Sequence, residues 1–132
     1  MIVLDASAAL ELLLRPGSHP RLVQRILRSG ETVAAPHLID LEVAQVLRRF
    51  VTAGELTEAR AHATLDDHRS SSIVRYPHDG LFERIWDLRA NCTAYDAACL
   101  ALAEALDAPL LTFDKRLADV PGHRVAVEVI TE

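Results

Sequence analysis

Asp5, Glu42, Asp96 and Asp114 are the side chains of this sequence best placed to do chemistry. Asp5 closes the apolar run Met1-Ile2-Val3-Leu4. Glu42 lies on the flank of a helical stripe. Asp96 opens an alanine-rich helix that is almost free of charge. Asp114 follows Leu110-Leu111-Thr112-Phe113. Hard divalent cations such as Mg²⁺ and Mn²⁺ take carboxylate and water oxygens, so four convergent acids describe a hard-metal site. Two ions ~3.5–4 Å apart can clamp the attacking and leaving oxygens of a phosphodiester. Without a cation, clustered carboxylates repel one another and take up protons. Such a site needs no histidine base, because a metal-bound water supplies the nucleophile.

Each acid also has a plainer reading. Asp5 and Asp114 precede helices and are good caps. Thr93-Ala94-Tyr95-Asp96 is close to a capping box with Asp in place of Glu. Glu42 is harder to explain as structure alone. It borders the stripe of Ile39, Val43 and Val46, with Arg48 and Arg49 further along the helix. Burying an unpaired carboxylate is costly, so the position calls for a partner, and a metal would serve. Ser7, Asn91, Thr93 and Thr112 are small polar neighbours able to orient a carboxylate or a bound water. Local capping explains them equally well.

These groups need elements to hold them. Ile2–Leu4 reads as a strand buried on both faces, and 7–14 as a helix stopped by Pro16-Gly17. Residues 18–28 follow as a helix with Leu22, Val23, Ile26 and Leu27 on one face, ended by Gly30. Residues 32–35 make a strand. The strongest helical period runs over 37–53 and stops at Gly54. Thr57 caps the next helix, to about His68, which is weakly apolar and reads as an exposed arm. Ser70–Ser72 is a loop. Residues 73–76 form a strand, Pro77 opens a helix to Arg89, and 93–106 form another. Residues 110–112 are a strand, 115–118 a short helix, and 124–130 a last strand. Strands alternating with helices imply right-handed crossovers and a parallel sheet with helices on both faces. Ligands bind beyond the carboxyl ends of such strands, and Asp5 and Asp114 lie at that edge.

Bulk properties narrow the function. The chain has 132 residues, half of them hydrophobic and a quarter charged, which fits one globular domain over 1–132. No apolar stretch approaches the ~20 residues of a membrane span, and the N-terminus lacks the form of a signal peptide, so a cytoplasmic protein is expected. Cys92 and Cys99 match no zinc spacing and read as small core residues in a reduced compartment. The net charge of −5 argues weakly against nucleic acid, yet setting the four acids aside leaves 15 acids against 14 bases. Thirteen of those bases are arginine, the side chain best shaped to grip phosphate. The six histidines show no paired ligand spacing and read as surface or incidental groups. Asp66-Asp67-His68 reads as a solvated face. No glycine-rich phosphate loop or serine elbow is present, and no aromatic platform for base stacking is visible.

Leu4-Asp5-Ala6-Ser7-Ala8, Glu42 within a helix, Thr93-Ala94-Tyr95-Asp96-Ala97-Ala98 and Leu111-Thr112-Phe113-Asp114-Lys115-Arg116-Leu117 together resemble a PIN-domain ribonuclease. The likeness spans essentially the whole chain and is greatest to the VapC-type toxins of bacterial toxin–antitoxin pairs. It implies a three-layer α/β/α sandwich and a Mg²⁺- or Mn²⁺-dependent endoribonuclease. Asp5 and Asp96 would be direct metal ligands, with Glu42 and Asp114 completing the acidic set. Ser7, Thr93 and Thr112 match the family's small polar positions. The resemblance also implies a homodimer and a cognate antitoxin whose tail covers the acidic groove, gripping the arm from about Phe50 to His68. Many wider PIN nucleases carry a further acid soon after the fourth. Here Lys115 and Arg116 stand in that place, so the sequence supports one ion before two. Two alternatives remain: a haloacid-dehalogenase-like phosphoryl-transfer enzyme using Asp5, and a non-catalytic module of the same fold. The first usually carries a second Asp two residues on, where this chain has Ser7.

Overall fold

A computed structural model describes residues 1–131, apart from the side chain of Ser29. Five parallel strands form one sheet: β1 (Ile2–Leu4), β2 (Val33–Pro36), β3 (Val74–Tyr76), β4 (Leu110–Thr112) and β5 (Val127–Val129). Their order is β3-β2-β1-β4-β5. The chain builds outward from β1 in one direction, then returns to pair β4 on its other side. The strand order therefore reverses between β1 and β4, the position at which open parallel sheets leave a crevice for ligands.

Side chains alternate across the sheet because the strand period is two. Val3, Ala34 and Leu110 face α5 (Phe82–Asp87), α6 (Ala94–Leu106) and α7 (Lys115–Asp119). Ile2, Leu4 and Leu111 face α1 (Ala6–Leu14) and α2 (Pro20–Ser29). Ala35 packs on α1 and α3 (Ile39–Thr52), with α4 (Glu58–Ser70) outside them. The result is the expected three-layer α/β/α sandwich. Ala97 through Ala103 are all buried, which explains why this helix carries so little charge. Its small side chains let α6 lie close to the sheet and carry Asp96 to the crevice.

Several boundaries differ from expectation. Residues 16–18 form a 3-10 turn ahead of α2, and Leu27 is 74% exposed, so α2 packs chiefly through Leu22. The helix expected from Pro77 to Arg89 is a 3-10 turn at Asp79–Leu81 followed by α5, since Gly80 weakens its first turn. The last strand is only Val127–Val129, because its partner β4 offers three residues to pair. Helix α4 continues to Ser70 and is not a free arm, for Thr64 and His68 on it are buried.

His68 and His19 are not incidental surface groups. His68 is fully buried, with Nε2 2.6 Å from Asp40 Oδ1. The Arg75 Nε donates to the same oxygen at 2.8 Å, and its Nη2 donates to the His68 carbonyl at 3.0 Å. This cluster pins α4 to α3 and β3. Burial acts against the Asp40 charge, yet the bonds from Arg75 and His68 hold its carboxyl below the usual range. His19 sits 2.7 Å from Glu11 and meets the Phe113 ring edge-on at 4.7 Å. Asp66 and Asp67 are exposed, as a solvated face requires.

Candidate active site

Asp5 leaves the end of β1 and begins α1. Its Oδ1 accepts from the Ala8 N–H at 3.0 Å, so it does cap the helix. It also accepts from Ser7 Oγ at 2.6 Å and, on Oδ2, from the Thr112 hydroxyl. The parallel register sets Leu4 beside Leu111, which brings Thr112 level with Asp5. Both hydroxyls are oriented in turn. Ser7 Oγ accepts from the Phe113 N–H at 3.1 Å, and Thr112 Oγ1 from the Asp114 N–H at 2.9 Å. The cap and the site are one carboxylate, held by groups more than a hundred residues away in sequence. Burial raises the Asp5 pKa, Ser7, Thr112 and Ala8 oppose that, and nearby Asp114 adds to the rise.

Glu42 lies in the first turn of α3, a helix end with no side-chain cap. It is half-buried, and its carboxylate makes no hydrogen bond among the described residues. Burial, then Asp5, then Asp96 push its carboxyl up to about 7. The Cys99 thiol beneath them, buried in α6, is raised by burial and then by Asp5, Glu42 and Asp96. Glu42 thus senses Asp5 and Asp96, and Cys99 senses all three carboxylates, so the acids lie within electrostatic reach of one another. Both cysteines behave as core or half-buried thiols, as expected.

Asp96 is free of the role that would have explained it away. Thr93 caps α6 by accepting from the Asp96 N–H at 3.2 Å. Among the described residues, no bond returns from the Asp96 carboxylate to the Thr93 N–H, so the capping box is only half made. Thr93 acts here as a cap. Asn91 donates to the Pro121 carbonyl at 3.0 Å and to none of the four acids.

Asp114 caps α7 by accepting from the Arg116 N–H at 3.0 Å. Its two oxygens also receive the Arg116 guanidinium, at 3.1 and 2.7 Å. That contact, foremost, holds the Asp114 carboxyl below the ordinary range. Among the described residues, no three acid, histidine or cysteine side chains stand ready-made around one ion. The donor set still fits a hard cation. Asp5, Glu42 and Asp96 present oxygen ligands, and two of these carboxyls are raised in a way that a nearby positive charge would reverse.

Sequence reasoning missed two features of the rim. Tyr95 is 65% exposed beside Asp96, where the sequence pattern shows no aromatic platform. It closes a groove of about 660 Å³ that runs past Leu41, Glu42, Arg48 and Arg49. The first turn of a buried helix has one face toward solvent, and Tyr95 before Asp96 was the available signal. Arg116 is the second feature, a departure from the family pattern in sequence that pairs with Asp114 in the fold.

A PIN domain profile matches residues 2–123. Ribonuclease VapC9 of Mycobacterium tuberculosis (strain ATCC 25618 / H37Rv) is 44% identical over 130 residues, covering 98% of each chain. Ribonuclease VapC1 of the same strain is 42% identical over 130 residues, covering 97% of this chain and 96% of that one. The VapBC2 structure of Rickettsia felis, bound to a DNA fragment from its promoter, shares the fold with a TM-score of 0.73. It is 14% identical and covers 98% of each chain. A five-stranded parallel sheet with acids at its switch point, matched along nearly its whole length, settles the kinship: the chain belongs to the PIN-domain family, among its VapC ribonucleases.

Proposed function

We propose that this protein is a divalent-metal-dependent endoribonuclease and the toxin of a toxin–antitoxin pair. The observation that carries the reading is the half-buried Glu42, whose unbonded carboxyl is driven up to about 7 by burial and by Asp5 and Asp96. Mg²⁺, with Mn²⁺ as substitute, is the cation of choice for such oxygen ligands. Asp5, Glu42 and Asp96 would hold it, with Asp114 at the margin. When bound, it supplies an activated water and charge neutralisation at the scissile phosphate.

The chain's own groups prepare that chemistry. Ser7 and Thr112 fix the Asp5 carboxylate, so that little reorganisation remains for it on binding. Burial beneath Glu42 lowers the local dielectric and strengthens each electrostatic contact. Arg48, Arg49 and Tyr95 line the groove beside Glu42, giving an RNA strand cations and a ring face. Cleavage adds water at phosphorus and breaks the bond to the leaving ribose oxygen.

The ribonuclease names of the relatives support the substrate class, and the VapBC2 complex supports a protein partner for this fold. An antitoxin, a homodimer and a cytoplasmic site of action follow from the same reading. No helix among the described residues is long and apolar enough to cross a membrane. Family membership leaves the haloacid-dehalogenase-like alternative without a basis. Protein purified free of any partner is expected to cut RNA with Mg²⁺ or Mn²⁺ and to stop with chelator. Undiminished cutting by Asp5→Asn or Asp96→Asn, or cutting that survives chelation, would reject the mechanism.

A further inference from the structure

We infer that Arg116 is the residue that receives an RNA phosphate at this site, and that Asp114 is its resting partner in the free protein. The inference rests on the metal-dependent nuclease reading. Among the described residues, Arg116 is the one guanidinium paired with any of the four acids. Arg84, Arg75 and Arg25 are committed to the frame, to Glu104, Asp40 and Glu128, and Arg48 and Arg49 line the groove beyond Glu42. Arg116 binds both Asp114 oxygens, at 3.1 and 2.7 Å, and it also feels the negative charge of Asp96. Its side chain is nevertheless 84% exposed, so the rest of the fork faces solvent at the mouth of the site.

Three physical points turn this contact into a hand-over. The fork that fits a carboxylate with two parallel bonds fits a phosphate equally well. An exposed ion pair contributes little net stability, so exchanging partners costs little. A cation and Arg116 compete for Asp114, so loading the site frees the guanidinium beside the place where the phosphate must sit. Arg116 stands two residues after Asp114, where an added positive group supplies at the phosphate some of the charge that a second ion would bring.

The test uses the full chain as wild type, Arg116→Ala and Arg116→Lys. Titration of metal-free protein with Mn²⁺ by calorimetry reads the competition. Anisotropy of a fluorescein-labelled, mixed-sequence, single-stranded RNA, with Ca²⁺ to hold off cleavage, reads the phosphate contact over a range of salt. Arg116→Ala is expected to bind Mn²⁺ up to about fivefold more tightly, the equivalent of losing one exposed ion pair. It is expected to bind RNA more weakly, with the slope of log K against log salt reduced by about 0.7, one single-strand phosphate. Arg116→Lys is expected to keep the slope and lose part of the affinity. An unchanged salt slope in Arg116→Ala, or weaker Mn²⁺ binding by it, would overturn the role of Arg116 alone. A wild type that binds no Mn²⁺ would overturn the nuclease reading beneath it.

Discussion

Replacing Glu42 with glutamine is expected to stabilise the metal-free protein at pH 8 and to change it little at pH 5. Burial, Asp5 and Asp96 carry this carboxyl from an ordinary 4.5 to about 7. A carboxyl raised on folding holds its proton more tightly in the folded chain than in the unfolded one. Stability therefore falls as pH rises from about 4.5 to about 7, and above that the whole penalty is present. At full strength the change corresponds to about 3 kcal/mol. Glu42 is only half-buried, and solvent screening reduces this to about 1–2 kcal/mol. Glutamine keeps the shape and removes the charge. Urea denaturation of both proteins, in chelator, at the two pH values reads the difference, and comparing them cancels the other acids. A domain of this length gains about 3–4 °C in Tm per kcal/mol, so melting curves give a second readout. Mn²⁺ at pH 8 is expected to close the gap, because it relieves the repulsion in the wild type and finds one ligand fewer in the variant. A variant no more stable than wild type at pH 8, or equally more stable at both pH values, would refute the claim that neighbouring acids crowd Glu42.

Two further substitutions test the frame around the site. Thr112→Val keeps the side-chain shape but removes the donor to Asp5 and the acceptor for the Asp114 N–H. Losing such an orienting group is expected to cost about 10–100-fold in Mn²⁺ affinity, measured by calorimetry, and wild-type affinity would show that Asp5 needs no orientation. His68→Leu removes a fully buried ring bonded to Asp40. It is expected to destabilise the protein by about 1–3 kcal/mol in urea, and an unchanged midpoint would show that the cluster does not pin α4.

Most of the architecture was legible in the sequence because it depends on local signals. Ile2–Leu4 and Leu110–Leu111 are apolar on both faces, which suits only central parallel strands. The breaks at Gly54 and Gly30 appear where expected, each with positive φ as a helix ends. Asp5 and Asp114 followed from topology, since acids at the carboxyl ends of β1 and β4 meet once the sheet forms. Glu42 followed from the cost of burying a carboxylate on an apolar stripe. Asp96 rested on resemblance, and the structure adds a reason of its own: Thr93 is the cap, so the Asp96 carboxylate remains uncommitted.

The rest lay out of reach because it depends on distances through space. Nothing near His68 in sequence marks it as buried. Its place in the core depends on Asp40 and Arg75, which arrive from α3 and β3; Asp40 meets its Nε2 while Nδ1 has no partner among the described residues. The proton affinity of Glu42 likewise reflects two acids from other elements and the desolvation they share. The sequence by itself determined which carboxylates exist, and the strands and helices that deliver them. Only the tertiary structure decided their company: Glu42 within electrostatic reach of Asp5 and Asp96, and Asp114 held by Arg116. Periodicity and capping act over a few residues, whereas Coulomb repulsion and burial are set by whatever the fold brings alongside.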